Sequence, residues 1–126
     1  MRKQTILVVS PDHEQCKSIS DFLEGAGYEV LTANLGYTAL EMIRDRKPDL
    51  MLLEWKLPDL SGLAVIRIIR SDKQISNLLI ILEGMDMKEE DVMLGLEVGA
   101  DLCLKEPFHP KVIVARIRAL LRRCYA

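Results

Sequence analysis

Leu50-Met51-Leu52-Leu53 is an unbroken apolar run, preceded by Pro48-Asp49 and closed by Glu54. A strand with one wet face alternates polar and apolar residues, so a run without alternation suits a central strand of a parallel sheet, covered on both sides. Leu78-Leu79-Ile80-Ile81-Leu82 repeats the pattern and is ended by Glu83-Gly84, and the β-branched-rich Thr5-Ile6-Leu7-Val8-Val9 is a third such run. Past Glu54, Leu57-Pro58-Asp59 with Ser61-Gly62 turns the chain. Ligands of open parallel sheets sit beyond the carboxyl ends of the strands, so Glu54 is either a site residue or a solvated acid at a strand end.

Between these runs lie segments of helical period, and strict alternation of the two argues for an α/β sheet with helices on both faces. Ser10-Pro11 reads as an N-cap followed by proline at the first helical position. Cys16, Ile19, Phe22 and Leu23 then recur at helical spacing until Gly25 and Gly27. Tyr28 to Thr32 is a short strand nearer an edge, because Glu29 interrupts its apolarity. Thr38 to Arg44 forms the second helix, stopped at Lys47-Pro48. Leu63 to Arg70 forms the third, burying Leu63, Ile66 and Ile69 or else Val65 and Ile68. Lys88 to Val98 is the fourth, with Val92, Met93 and Leu96 as core contacts and Gly99 closing it. Leu102-Cys103-Leu104 is the last strand. His109-Pro110 opens the last helix, where Val114, Ile117, Leu120 and Leu121 repeat at three- and four-residue spacing. The count is five strands and five helices in one domain, 1–126, with no repeat or linker inside it.

A formal net charge of -2 supplies no global attraction to nucleic acid or to an anionic membrane. Neither direct nucleic-acid binding nor membrane contact is expected. Arg116, Arg118, Arg122 and Arg123 read as a solvated helix face. Cys16, Cys103 and Cys124 lie far apart without metal-ligand spacing and read as reduced thiols, two of them in or near the core. The apolar run Ile6 to Val9 is too short for a signal peptide or a membrane span, so a cytoplasmic location is expected. His13 and His109 stand at helix starts and read as capping or exposed groups. Trp55 reads as a partly buried packing residue.

The motifs ILVV at Ile6–Val9, PDLMLLEWKLPDLSG at Pro48–Gly62, GLEVGAD at Gly95–Asp101 and PF at Pro107–Phe108 resemble the receiver domain of bacterial two-component response regulators. The ending PKVIVARIRALLRR, Pro110–Arg123, is most similar to the OmpR/PhoB class. The resemblance covers essentially the whole chain. It implies a flavodoxin-like (CheY-like), doubly wound five-stranded parallel sheet of order 2-1-3-4-5 with five helices.

The resemblance also implies where the family's chemistry falls, and there the residues depart. The phosphoacceptor aspartate at the end of strand three corresponds to Glu54. The magnesium-binding acid pair after strand one corresponds to Ser10 and Pro11, with Asp12 one place late. The hydroxyl residue ending strand four, a switch position, corresponds to Glu83. The lysine before the cis proline corresponds to Glu106, with Lys105 one residue early, and the aromatic switch of strand five corresponds to Cys103. Phosphoryl transfer is positioning plus charge neutralisation, and these replacements remove oxygen ligands for magnesium and add negative charge where donors are needed. Ordinary phosphorylation is therefore expected to be lost, no catalysis is expected, no cofactor is expected, and magnesium binding is expected to be lost or weak. Three glutamates now point toward one cleft, where like charges oppose each other's ionisation. Either Lys105 or Lys56 offsets them, with Lys105 pairing to Glu54 or Glu106, or the side chains fan into water. A third arrangement is a rearranged all-oxygen metal site using Asp12, Glu54, Glu83 or Glu106.

OmpR/PhoB-class receivers dimerise through the fourth helix, fifth strand and fifth helix. On that face Val92, Leu94, Leu102 and Val112 replace residues that are usually charged, while Arg116 and Arg123 keep their charge. An apolar patch there implies a homodimer that does not wait for phosphorylation. The leading expectation is an atypical receiver that regulates transcription through protein–protein contacts, with a sensor kinase or another regulator as further partner. The alternatives are a receiver still phosphorylated by a histidine kinase on Glu54 or another acid, and an ion or ligand sensor built on the acidic cleft.

Overall fold

The computed structural model describes residues 3–125; Met1, Arg2 and Ala126, the ends of the expected 1–126 unit, lie outside the described residues. Along the chain run β1 (Thr5–Val9), α1 (His13–Gly25), β2 (Glu29–Ala33), α2 (Gly36–Arg46), β3 (Leu50–Glu54), α3 (Gly62–Ser71), β4 (Leu79–Gly84), α4 (Glu89–Val98), β5 (Leu102–Lys105) and α5 (Pro110–Tyr125). All pairings are parallel and the strand order is β2-β1-β3-β4-β5, the doubly wound fold expected above.

The pleat explains the continuous apolar runs. Successive strand residues point to opposite faces, and both faces are covered. Ile6, Val8, Leu50, Leu52, Leu79 and Ile81 pack against Cys16, Ile19 and Leu23 of α1 and Ile113, Ile117 and Leu121 of α5. Leu7, Val9, Met51, Leu53, Ile80 and Leu82 pack on the other side against Ala39, Leu40 and Ile43 of α2 and Val65, Ile66 and Ile69 of α3. Register makes these rows continuous: Val9 lies beside Leu53, Leu53 beside Leu82 and Leu82 beside Cys103. Two aspartates just before strands pin the amino ends. Asp49 accepts from the Thr5 amide at 2.7 Å and donates its own amide to Thr5 O at 2.9 Å. Asp101 treats Ile80 the same way, at 2.8 Å in both directions.

Several local expectations shift. Ser10 is not the cap of α1: its amide bonds to Ala33 O at 3.1 Å, holding it on the path of β1. The cap is Asp12, whose Oδ1 accepts from the Glu14 and Gln15 amides at 3.0 and 3.2 Å, and Pro11 stays outside the helix. Helix α2 starts two residues before Thr38, because Asp59 reaches across from the β3–α3 loop to accept from the Gly36 and Tyr37 amides at 2.8 and 3.0 Å. The buried face of α3 is Val65, Ile66 and Ile69, drawing on both expected alternatives, with Leu63 and Ile68 partly covered. On α4, Met93 and Leu96 are not core residues; they are 61% and 47% exposed. Gly95 faces the sheet instead, where an added Cβ would lie 2.8 Å from Leu82 Cδ2 and 3.0 Å from Cys103 Sγ. The helix backbone approaches so closely that only Gly95 fits underneath, and the larger apolar side chains rotate outward. Val92 is half-buried against the core as expected.

Candidate functional site

Glu54 and Glu83 are opposite one another in the register of β3 and β4, one step beyond the apolar row of Leu53 and Leu82. Strand β4 runs through Glu83 to Gly84, so Glu83 belongs to the sheet rather than to the loop after it. The turn after β5 brings Glu106 to the same edge: its amide donates to Gly84 O at 2.9 Å, and the Glu106–Pro107 peptide is cis. Oxygen atoms of Glu54, Glu83 and Glu106 consequently lie within 4.8 Å of one another.

Burial differs sharply across the three. Glu83 is 1% exposed, whereas Glu54 and Glu106 are half-buried. Burial, then the charges of Glu54 and Glu106, then a hydrogen bond with the Glu106 carboxyl push Glu83 up to about 9. Glu83 is therefore held toward its protonated form at neutral pH. Burial, followed by the Glu106 charge, pushes Glu54 up to about 7, against the opposing pull of the Trp55 amide and of Lys56. That amide donates to Glu54 Oε2 at 3.0 Å and to Glu83 O at 2.9 Å. The Trp55 indole closes the mouth, with Nε1 donating to Met85 O at 3.0 Å and Lys56 Nζ 4.8 Å from the ring centroid. The Cδ1 and Nε1 atoms of the indole lie over Gly84, whose missing Cβ leaves them room.

One participant was not foreseen in the sequence. Gln15, on the first turn of α1, donates from Nε2 to Glu106 Oε1 and accepts from Ser10 Oγ at 3.3 Å. Ser10 Oγ in turn accepts from the Asp12 amide at 3.2 Å. The only signal was position: a polar residue three places after an Asp cap faces back over the strand ends.

The remaining predicted residues divide. Asp12 is exposed and engaged as a helix cap, outside the carboxylate cluster, and Pro11 offers no polar group to it. Lys105 is exposed, and among the described residues no ion pair joins it to Glu54 or Glu106, so the expected Lys105 pairing is not formed, while the Lys56 charge still favours the ionised form of Glu54. Lys105 is the last residue of β5, whereas Glu106 belongs to the turn that follows and bonds back to Gly84 O. Cys103 lies on the α4 side of the sheet, its Sγ 3.7 Å from Val92 O, and burial pushes its thiol up. On the α4-β5-α5 face, Leu94 and Val112 are 38% and 40% exposed and Arg116 and Arg123 are exposed. Leu102 is half-buried against the α5 side of the core. His13 and His109 are exposed, with His109 Nδ1 accepting from the Lys111 amide at 3.1 Å. Among the described residues, no helix is long and apolar enough to cross a membrane.

Comparison with known proteins matches the geometry. The response regulator receiver domain model covers residues 6–118. The phosphate regulon transcriptional regulatory protein PhoB of Pseudomonas aeruginosa is 42% identical over 120 residues, covering 95% of this chain and 52% of that protein. The DNA-binding response regulator MtrA of Mycobacterium tuberculosis is 40% identical over 121 residues, covering 96% of this chain and 52% of its own length. The chain thus spans about half the length of these curated relatives. Among solved structures, the BeF3-activated N-terminal receiver domain of Klebsiella pneumoniae RstA superposes with a TM-score of 0.88 at 30% identity, over 94% of this chain and 99% of that one. The Francisella response regulator 1452 receiver domain gives 0.90 at 27% identity, over 97% of this chain and 99% of that one. With its sheet order and its sequence in agreement, the chain belongs to the receiver-domain family of two-component response regulators, and its similarity runs to the OmpR/PhoB class.

Proposed function

We propose that this is an atypical receiver, one that signals through a fixed conformation and protein–protein contacts without accepting a phosphoryl group, and that it is not an enzyme. The observation that carries the reading is the carboxylate cluster: Glu54, Glu83 and Glu106 hold oxygens within 4.8 Å of one another, with Glu83 wholly inside the protein. A phosphoryl group brings more than one negative charge and needs donors and cations around its oxygens. Here it would meet carboxylates instead. The Glu106 amide, donating to Gly84 O at 2.9 Å, joins the turn after β5 to β4 without any phosphoryl group. Magnesium in the family's own place would find the uncharged Ser10 and Pro11 and an Asp12 already committed to the α1 amides.

The output surface is the α4-β5-α5 face. Met93, Leu94, Leu96 and Val112 form its exposed apolar part, with Arg116 and Arg123 at its rim. An exposed apolar patch of this kind suits a self-associating surface, so the active form is a homodimer. Because PhoB and MtrA are named as a transcriptional regulator and a DNA-binding regulator, the dimer serves transcription control in a longer protein.

Acetyl phosphate with magnesium, read by intact-mass spectrometry, tests the phosphorylation claim. The expected result is unmodified protein, and a stable added phosphoryl group on Glu54 or Asp12 would overturn it in favour of a working phosphoacceptor. Sedimentation at micromolar concentration tests the second claim: a dimer is expected, and Leu94→Glu dissociates it. A monomer in the parent chain would refute the dimer.

A further inference from the structure

Glu83 Oε2 and Glu106 Oε2 are buried and find no hydrogen-bond donor among the described nitrogen and hydroxyl groups. Buried carboxyl oxygens without a donor are costly, and a proton shared between the two carboxyls relieves only one contact. The candidate ligand atoms are carboxylate oxygens, one from each of Glu54, Glu83 and Glu106. The thiol of Cys103 points to Val92 O on the α4 side, and both histidines are exposed at helix starts elsewhere. Gln15 holds Glu106 in place from α1, and the Trp55 amide holds Glu54. Two of the three carboxylates are thereby held in place by a neighbour that is not itself charged.

We propose that Glu54, Glu83 and Glu106 form a binding site for a hard divalent cation, calcium or manganese in preference to magnesium, in which the ion supplies the partner that Glu83 Oε2 and Glu106 Oε2 lack. An all-oxygen, triply anionic donor set selects hard cations and disfavours zinc, which takes nitrogen and sulfur ligands. Reaching Glu83, which is 1% exposed, requires the ion to shed most of its water. Magnesium does so reluctantly, whereas calcium accepts irregular carboxylate geometry. The site is distinct from the acid pair after strand one, where Ser10 and Pro11 stand. The ion lies between the ends of β3 and β4 and the turn after β5 and holds the three together. The inference rests on the reading of this cleft as one that takes no phosphoryl group.

The test is calorimetric titration of the chelator-treated protein with calcium, manganese or magnesium chloride, without phosphodonor, alongside Trp55 fluorescence and thermal melts. Expected are saturable binding of calcium or manganese, weaker binding of magnesium and a raised melting temperature. Glu83→Gln and Glu106→Gln each weaken binding by at least about tenfold, while Asp12→Asn leaves it unchanged. Absence of heat, fluorescence change and melting shift at millimolar ion overturns the site, leaving the proton as sole occupant. Binding that survives both glutamine variants but is lost in Asp12→Asn also overturns it, since the ion would then sit at the mouth of β1. Acetyl phosphate labelling separates the two claims: a cation-silent, unlabelled protein refutes only this site, and a labelled protein refutes the reading beneath it.

Discussion

Replacing Glu83 by glutamine isolates the largest electrostatic cost in the molecule. In the native protein Glu83 keeps its proton until about pH 9, against an ordinary value of 4.5. Between those values the native state binds more protons than the unfolded chain, so stability falls as pH rises through that window. At pH 7 the separation from the unfolded value is roughly 2.5 pH units, which at about 1.36 kcal/mol each is about 3 kcal/mol of lost stability. Glu83→Gln preserves shape, donates from its amide toward Glu106 and removes the titration. The variant is expected to be more stable than the parent by about 2–3 kcal/mol at pH 7, on the order of 10 °C in melting temperature, and the gain vanishes toward pH 4.5. Glu54, raised in the same direction, is present in both proteins and largely cancels in the difference. Urea unfolding from pH 5 to pH 8 in the presence of a chelator supplies the comparison. Parallel pH profiles for the two proteins, or a stability gain in the variant that is smaller at pH 7 than at pH 5, would refute the placement of Glu83 as a buried, protonated acid.

Gly84→Ala places a Cβ inside the Trp55 indole and 2.7 Å from Glu54 Oε2, so the ring must leave its place. A cost of about 1–3 kcal/mol and a red shift of the emission of the single tryptophan are expected, and an unshifted spectrum would contradict the packing. Arg70 donates to Gly99 O at 2.9 and 2.7 Å, to Ser76 O at 2.7 Å and to Leu78 O at 2.6 Å, and also meets Asp101 at 3.1 Å. Arg70→Ala strands those carbonyls and is expected to cost about 3 kcal/mol, with Arg70→Lys recovering little because an ammonium lacks the planar fork; chemical denaturation of both variants decides this. Asp59→Ala removes the side-chain cap of α2 and is expected to cost about 1 kcal/mol, with amide exchange accelerated first at Gly36 and Tyr37.

The fold was legible because its determinants are local and repetitive. Runs such as Leu50–Leu53 and Leu79–Leu82 have no polar residue to place in water, so they demand cover on both faces, and the intervening helical periods supply it. The position of Glu54 at a strand end was legible for the same reason. The cap of α1 was misplaced because Ser10 and Asp12 are both good caps by type. The choice between them depends on the Ala33 carbonyl, which comes from β2. The core face of α4 was misread because Met93 and Leu96 carry the apolar surface, while the contact with Leu82 and Cys103 is made by Gly95, which has no side chain to advertise it.

Sequence alone determined the alternation of strands and helices, the sheet order implied by the resemblance, and the list of acids available to the cleft. Tertiary structure alone decided which acids meet. Glu54 and Glu83 are adjacent because of the β3–β4 register, Glu106 because of the turn after β5, and Lys105, the last residue of β5, stays exposed outside the cluster. Spacing along a chain carries periodicity within one element, but the convergence of three strand ends and the loss of solvent around Glu83 arise only when the sheet closes against its helices.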